Sequence, residues 1–326
     1  MDLLLQDPAV IAGLIAAALL LLALALYGIM RMSAASGRAT KPGRRWPGPL
    51  AESLRLVLEG DPEAATDLLK DALEAGSDTP ALYLALGALL RSSGEPDRAA
   101  ALHRGLTVRR DLDEAVRAEA FRQVALDLMA AKRAEEASDA AQNASALRPN
   151  DPTLLALDRD CAYEANDVDR ALASHYRWVK STHTADRRIE ASLLAARADR
   201  AYREGDRSAA RRDIKKALKA HAGCARAKFV AARLDSDDGK LSRAAETLQS
   251  LHEAQPGLDA LVLPHLATAL HAAQEMALLD AIRPAATNAT NKPKFRCASC
   301  DTETPAVRWR CPSCGAWEEW AGDAAA

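Results

Sequence analysis

Six short segments of this chain share one pattern. "GEPDRAAAL" (94–102), "NDVDRALAS" (166–174), "GDRSAARRD" (205–213) and "GKLSRAAET" (239–247) each open on Gly or Asn and reach an alanine five residues later: Ala99, Ala171, Ala210 and Ala244. Two further members, "DPEAATDLL" around Ala65 and "KRAEEASDA" around Ala137, lack Gly or Asn at the turn. The six alanines stand 34, 38, 34, 39 and 34 residues apart. Such a period marks a supersecondary unit that buries its apolar face only by stacking on its neighbours. A small residue at one fixed place lets two antiparallel helices of a unit approach closely. Composition agrees: aromatics are 4% of the 326 residues, and the apolar content is mostly Ala and Leu, the best helix formers.

A 34-residue period with a small residue at that place resembles the tetratricopeptide repeat. The fullest copy runs from Pro80 to Asp113, with Tyr83 and Gly87 on a first helix, Gly94 at the turn, and Ala99, Leu102 and Leu106 on a second. Pro149 and Pro256 fall where that family ends its second helix. The expected fold is all-α: a superhelical solenoid over 51–283, with lengthened helices or turns at the two longer spacings. A closing helix is expected over Leu258 to Arg283, where Pro264 marks a helix start or a kink. A solenoid has no chemistry of its own; it offers a long groove to a protein or peptide.

Ahead of the repeats, Ala9 to Met30 runs 22 residues without a charge. As a helix it is roughly 33 Å long, enough for a hydrocarbon core of about 30 Å. A cleavable signal peptide opens with basic residues, whereas "MDLLLQD" carries two acids and no Lys or Arg. Arg31, Arg38, Lys41, Arg44 and Arg45 follow the run, which by the positive-inside rule places the rest of the chain in the cytoplasm and the N-terminus in the periplasm. The expectation is an uncleaved single-pass anchor at 1–31 and a basic Pro/Gly linker at 32–50.

The net charge of −2 hides an uneven distribution. Residues 52–78 carry eight acids against Arg55 and Lys70, and residues 187–233 carry fourteen Arg and Lys against five acids. The basic stretch reads either as a solvated helix face or as a dock for an acidic partner. No Gly-rich phosphate loop, Ser-His-Asp set or carboxylate pair is present, so no enzyme is expected.

The most specific chemistry lies near the end: Cys297-x2-Cys300, ten residues, then Cys311-x2-Cys314. Two such knuckles bring four thiolates around one tetrahedral ion, leaving no open position for a substrate or water. One zinc ion is expected, with iron, held by the same ligands, as the alternative. So short a segment draws its folding free energy from the metal. Trp309, Trp317 and Trp320 are three of the five tryptophans, more than the module, 295–320, can bury alone. It therefore either packs on the solenoid or swings on the linker "PAATNATNKPK" (284–294). Cys161 and Cys224 read as buried small hydrophobes, and the scattered histidines form no site. Lys292, Lys294, Arg296, Arg308 and Arg310 are offset by Asp301, Glu303, Glu318 and Glu319, a poor balance for phosphate binding, so no nucleic acid is expected.

Anchor, repeat array and the closing "FRCASCDTETPAVRWRCPSCGAWEEW" together resemble the lipopolysaccharide assembly protein B family of Gram-negative bacteria, LapB or YciM. The resemblance makes Cys297, Cys300, Cys311 and Cys314 the metal ligands of a rubredoxin-like domain, and places the protein in the bacterial inner membrane. It implies an adaptor that brings a lipid A synthesis enzyme, the deacetylase LpxC, to a membrane AAA+ protease, FtsH, and so balances lipopolysaccharide against phospholipid. A scaffold for another envelope assembly or secretion complex, an electron-transfer iron site and a nucleic-acid-binding ribbon are the competing readings. Whether the chain forms a homodimer stays open.

Overall fold

Most of the described helices begin at proline or behind aspartate, and the first helix of every pair ends at a residue that takes positive φ. The structure, a computed structural model, describes residues 48–291 and 295–321, with side chains at 48–287 and 295–320. The expected anchor and nearly all of the basic linker lie outside the described residues. Among the described residues no helix is long and apolar enough to cross a membrane.

Fourteen helices are described, arranged as seven consecutive pairs. The first three pairs are Pro49–Leu58 with Pro62–Glu74 (α1, α2), Pro80–Ser92 with Pro96–Thr107 (α3, α4) and Glu114–Ala130 with Ala134–Leu147 (α5, α6). The next three are Pro152–Glu164 with Val168–Thr182 (α7, α8), Arg187–Arg203 with Arg207–Ala220 (α9, α10) and Ala225–Asp237 with Leu241–Ala254 (α11, α12). The last is Asp259–Ala272 with Met276–Asn291 (α13, α14), entered through a 3-10 turn at Pro256–Leu258. Proline at the first helical position of α1 to α4 and α7 has a ring-fixed φ and lacks only an N–H that would be unsatisfied there. Asp61, Asp113, Asp151, Asp167, Asp186 and Asp206 cap helix starts, each side chain accepting from a backbone N–H two or three residues on.

The repeat rests on one turn used seven times. Gly60, Gly94, Lys132, Asn166, Gly205, Gly239 and Gln274 each have φ between 61° and 86° and stand two residues before a second helix. In every case the next N–H reaches back to a carbonyl five residues upstream, as from Asp61 to Leu56 (2.9 Å) and from Glu95 to Leu90 (2.9 Å). This is the Schellman closure, which satisfies the last carbonyls of the first helix while reversing the chain. Five residues past six of the seven turn residues, and fourth in its helix, stands Ala65, Ala99, Ala137, Ala171, Ala210 or Ala244, all without solvent exposure. The expectation that the Ala65 unit lacks a turn glycine is corrected: Gly60 holds that place, one residue upstream of the segment that defined the unit.

Two further expectations change. The closing helix expected over Leu258 to Arg283 is a full seventh pair, broken at Gln274 (φ 62°). Leu279 stands where the other six pairs have alanine and is buried like them, so the alanine pattern passed over it. Helix α14 then continues through Pro284 to Asn291, so residues 284–291 of the expected 284–294 linker are helical. Pro264 is the sixth residue of α13, inside the helix rather than at its start. The long spacings come as expected from long first helices: α5 and α9 have 17 residues, against 13 in α3 and α7.

The C-terminal module adds three short strands, Phe295–Cys297 (β1), Glu303–Thr304 (β2) and Trp320–Ala321 (β3), in the order β2-β1-β3, both pairings antiparallel. Phe295 lies opposite Thr304, and Cys297 opposite Trp320.

Candidate metal centre

Two loops of identical construction present the four thiols. In the first, the Cys297 N–H bonds to Thr302 O (3.0 Å) and the Asp301 N–H to Cys297 O (3.0 Å). In the second, the Cys311 N–H bonds to Ala316 O (2.8 Å) and the Gly315 N–H to Cys311 O (3.0 Å). Each loop turns on a left-handed residue directly after its second cysteine, Asp301 (φ 56°) or Gly315 (φ 75°). The sequence places Asp and Gly there because they tolerate that conformation best. β1 carries the first loop. The Glu318 N–H bonds to Trp309 O (3.0 Å), which closes the second.

The four sulfur atoms lie within 4.8 Å of one another. Cys297 and Cys314 are 3.7 Å apart, and Cys300 and Cys311 are 3.6 Å apart. A tetrahedron of metal–sulfur bonds of about 2.3 Å has edges of about 3.8 Å, so the donors fit a four-coordinate ion. None of the spacings is a disulfide, and all six cysteines are free. Hydrogen bonds from the hydroxyl and backbone N–H of Thr302 pull the Cys300 thiol down to about 6, whereas burial pushes Cys297 up and, against the Ala316 backbone, the neighbouring thiols push Cys314 up; a metal takes all of them as thiolates. Bound there, an ion supplies a cross-link between the two loops and no reactive coordination position.

The module is packed on the solenoid, along the face made by the first helices of pairs four to six. Arg310, the residue before Cys311, donates to Asp160 Oδ2 (3.0 Å) and Glu164 Oε1 (3.1 Å) at the C-terminal end of α7. Its side chain is 14% exposed. Burial opposes its charge, and the two carboxylates more than offset that. Trp317 meets Tyr163 edge-on, ring centres 4.6 Å apart, with the Arg310 guanidinium over the Trp317 ring, 5.9 Å from its centre. Glu318 accepts from the Ala225 N–H (3.1 Å), the first helical residue of α11, and from the Ser192 hydroxyl of α9; the Cys224 thiol lies 3.3 Å from it. Trp309 lies under the Arg226 guanidinium, and Phe295, Trp309 and Trp320 join the core of the last two pairs. The swinging alternative is therefore not what the structure contains.

The two charged contacts follow helix polarity. A cation sits at the C-terminal end of α7, and an anion at the N-terminus of α11, each where the helix dipole favours it. Sequence reasoning placed the four cysteines and expected the tryptophans to pack on the repeats. It missed Arg310 and Glu318 as anchors, because it weighed them only as opposing charges near the knuckles. Their position beside Cys311 and Cys314 was the available signal. Cys161 and Cys224 are buried as expected; burial pushes the Cys161 thiol up to about 12 and Cys224 up as well, so neither is reactive. Of the histidines expected to form no site, His103 has a clear structural role. Fully buried, it contacts Asp127 (2.6 Å), which also takes Arg91 (2.5 Å).

With this geometry in place, comparison with known proteins adds one specific match. Residues 295–319 match the family described as a rubredoxin metal binding domain, the zinc ribbon of LapB-type proteins. Over the described residues, tetratricopeptide-like helix pairs are followed by a rubredoxin-like ribbon, and the family match covers the ribbon alone. No curated protein matches the chain. Similar solved structures include MamA from Desulfovibrio magneticus (18% identity, 53% of this chain and 93% of that one, TM-score 0.40). A tetratricopeptide repeat protein from Parabacteroides merdae is also similar (15% identity, 63% and 91%, TM-score 0.38). A third is YrrB, described as a repeat protein with an unusual peptide-binding site (20% identity, 63% and 97%, TM-score 0.42).

Proposed function

We propose that this chain is a membrane-tethered adaptor whose helix pairs hold one protein for another, with no catalytic step of its own. The observation that carries the reading is the LapB-type ribbon at 295–319, seated on a stack of seven helix pairs. Four thiolates around one ion close its coordination shell and leave nothing for a substrate; the ion is proposed to be zinc. The tether in this reading is the apolar run Ala9–Met30; the basic residues that follow it, Arg31 to Arg45, favour a cytoplasmic side for the helix pairs, and the bacterial inner membrane comes from the LapB-type resemblance. Confinement to the plane of a membrane raises the effective concentration near another membrane protein.

The partners proposed are a membrane AAA+ protease of the FtsH type and a lipid A enzyme of the LpxC deacetylase type, the second delivered to the first. Nucleic acid is disfavoured by where the ribbon's basic residues go: Arg310 is committed to Asp160 and Glu164, and Arg296 lies 3.5 Å from Asp301. The test is co-purification of the full chain from detergent-solubilised membranes. The protease and the deacetylase are expected together. Recovery of a different envelope complex, with neither of these, overturns the lipid A assignment and leaves the scaffold.

A further inference from the structure

Helix α10 carries a row of cations that no carboxylate answers. Around the row, positive charge is paired: Arg197, Arg200 and Arg203 of α9 and Arg207 and Arg211 of α10 each meet an aspartate. Arg212, Lys215, Lys216 and Lys219 are exposed and form no ion pair among the described residues. Their spacing, i, i+3, i+4 and i+7, puts all four on one side of the helix. Like charges at these spacings repel and weaken a helix, so the row is a liability without a counter-charge. Arg212, whose guanidinium donates to the Ser208 hydroxyl (3.1 Å), and Lys216 also line a cleft of about 320 Å³ between α9 and α10. Of the carboxylates lining it, Asp213 takes Arg197 (2.7 Å), Asp206 caps α10 and Glu204 lies 4.0 Å from Arg200.

We infer that this row docks an acidic segment of a partner protein, with one of the segment's carboxylates entering the cleft beside Arg212 and Lys216. The inference rests on the adaptor reading and adds the place and the chemistry of contact. From Arg212 to Lys219 the row is about 10 Å long, which about three or four extended residues span. Four cations in that length suit three or more Asp or Glu side chains close together in sequence, a match of charge that selects partner and register. A broad polyanion fits less well. The row is one helix wide, and exposed acids border it: Glu204 and Asp206 at its head, Asp169 towards α8 and Asp238 towards α12. A bilayer surface or a nucleic acid would press its phosphates on these as well.

The test uses the full chain in an uncharged detergent, with acetylated and amidated hexaglutamate as the probe. A carbodiimide joins the probe's carboxylates to lysines in contact with them, and mass spectrometry reads the coupling at each lysine. Coupling is scaled to that of acetate under the same conditions, which corrects for the reactivity of each amine. Scaled coupling is expected to be at least fivefold higher at Lys215, Lys216 and Lys219 than at Lys180 and Lys228. Arg212→Gln should lower it at Lys216 at least threefold and leave Lys180 unchanged. Equal scaled coupling at all five lysines, or no response to Arg212→Gln, overturns the inference. So does stronger shielding of the three lysines by phosphatidylglycerol nanodiscs, or by a twelve-nucleotide single strand, than by hexaglutamate. Co-purification from membranes separates this from the adaptor reading. Partners recovered equally by wild type and by the variant with all four cations changed to Gln sink the row alone. Coupling as expected with no partner recovered sinks the adaptor alone.

Discussion

Gly87 shows how a single position is decided by its neighbour. It lies in α3, and a Cβ built on it would stand 2.3 Å from Nε2 of His103, a side chain with no exposure. Gly87→Ala is therefore expected to cost about 1–3 kcal/mol, the usual range for overpacking. Gly105→Ala, in a helix with nothing within 4 Å of the new atom, should gain about 0.5–1 kcal/mol. Urea unfolding of the two variants reads the contrast. Gly87 was legible in the repeat motif, while the reason for it was not, since nothing marks His103 as the ring that fills the space. His175 gives a pH signature. It is fully buried, neither ring nitrogen has a partner, and burial, then Arg159, holds it down to about 4, with Asp186 and Asp160 pulling the other way. Above about pH 6.5 the ring is neutral folded and unfolded and contributes nothing to pH dependence. Between there and about 4 only the unfolded chain takes the proton, so stability falls as pH falls. His175→Phe is expected to flatten that part of a stability–pH profile; an unchanged slope would contradict it.

Among the helices, the turns that separate first from second carry the repeat. Five of the seven use Gly or Asn at the positive-φ position; Lys132 (φ 61°) and Gln274 (φ 62°) do not. A side chain there costs roughly 1–2 kcal/mol, so Lys132→Gly should raise stability by about 1 kcal/mol, measured as a shift in urea midpoint at constant m value. Turn chemistry and alanine spacing together made six of the seven pairs legible. The seventh escaped because Leu279 and Gln274 replace both markers at once, and because Pro284 reads as a break although α14 runs through it. The ribbon's grip is also an element-scale matter. Arg310→Ala leaves Glu164 without this cation and Asp160 with Arg159 alone, and removing one partner of a partly buried pair costs about 1–3 kcal/mol. Trp317→Ala removes an edge-on aromatic contact worth about 0.5–1.5 kcal/mol beyond its area. The first is expected to loosen the ribbon more than the second, read as the increase in amide exchange over 295–321.

For the whole molecule, the four thiols were plain in the sequence because ligand spacing is local, and the structure gathers them as that spacing requires. Where the ribbon sits was not legible. Its hydrogen bonds to the helices join residues 93 to 150 positions apart, and no periodicity links Arg310 to α7 or Glu318 to α11. The molecule that results couples a metal to helices that do not touch it. Hydrogen exchange of the metal-loaded full chain against the variant with all four cysteines changed to serine tests that coupling most directly. Faster exchange is expected in residues 295–321, at the C-terminal end of α7 and in the first turn of α11, with α1 to α4 unchanged. If α7, α9 and α11 keep the same protection when the thiols are gone, the ion does not hold the ribbon to the repeats, and the account is wrong.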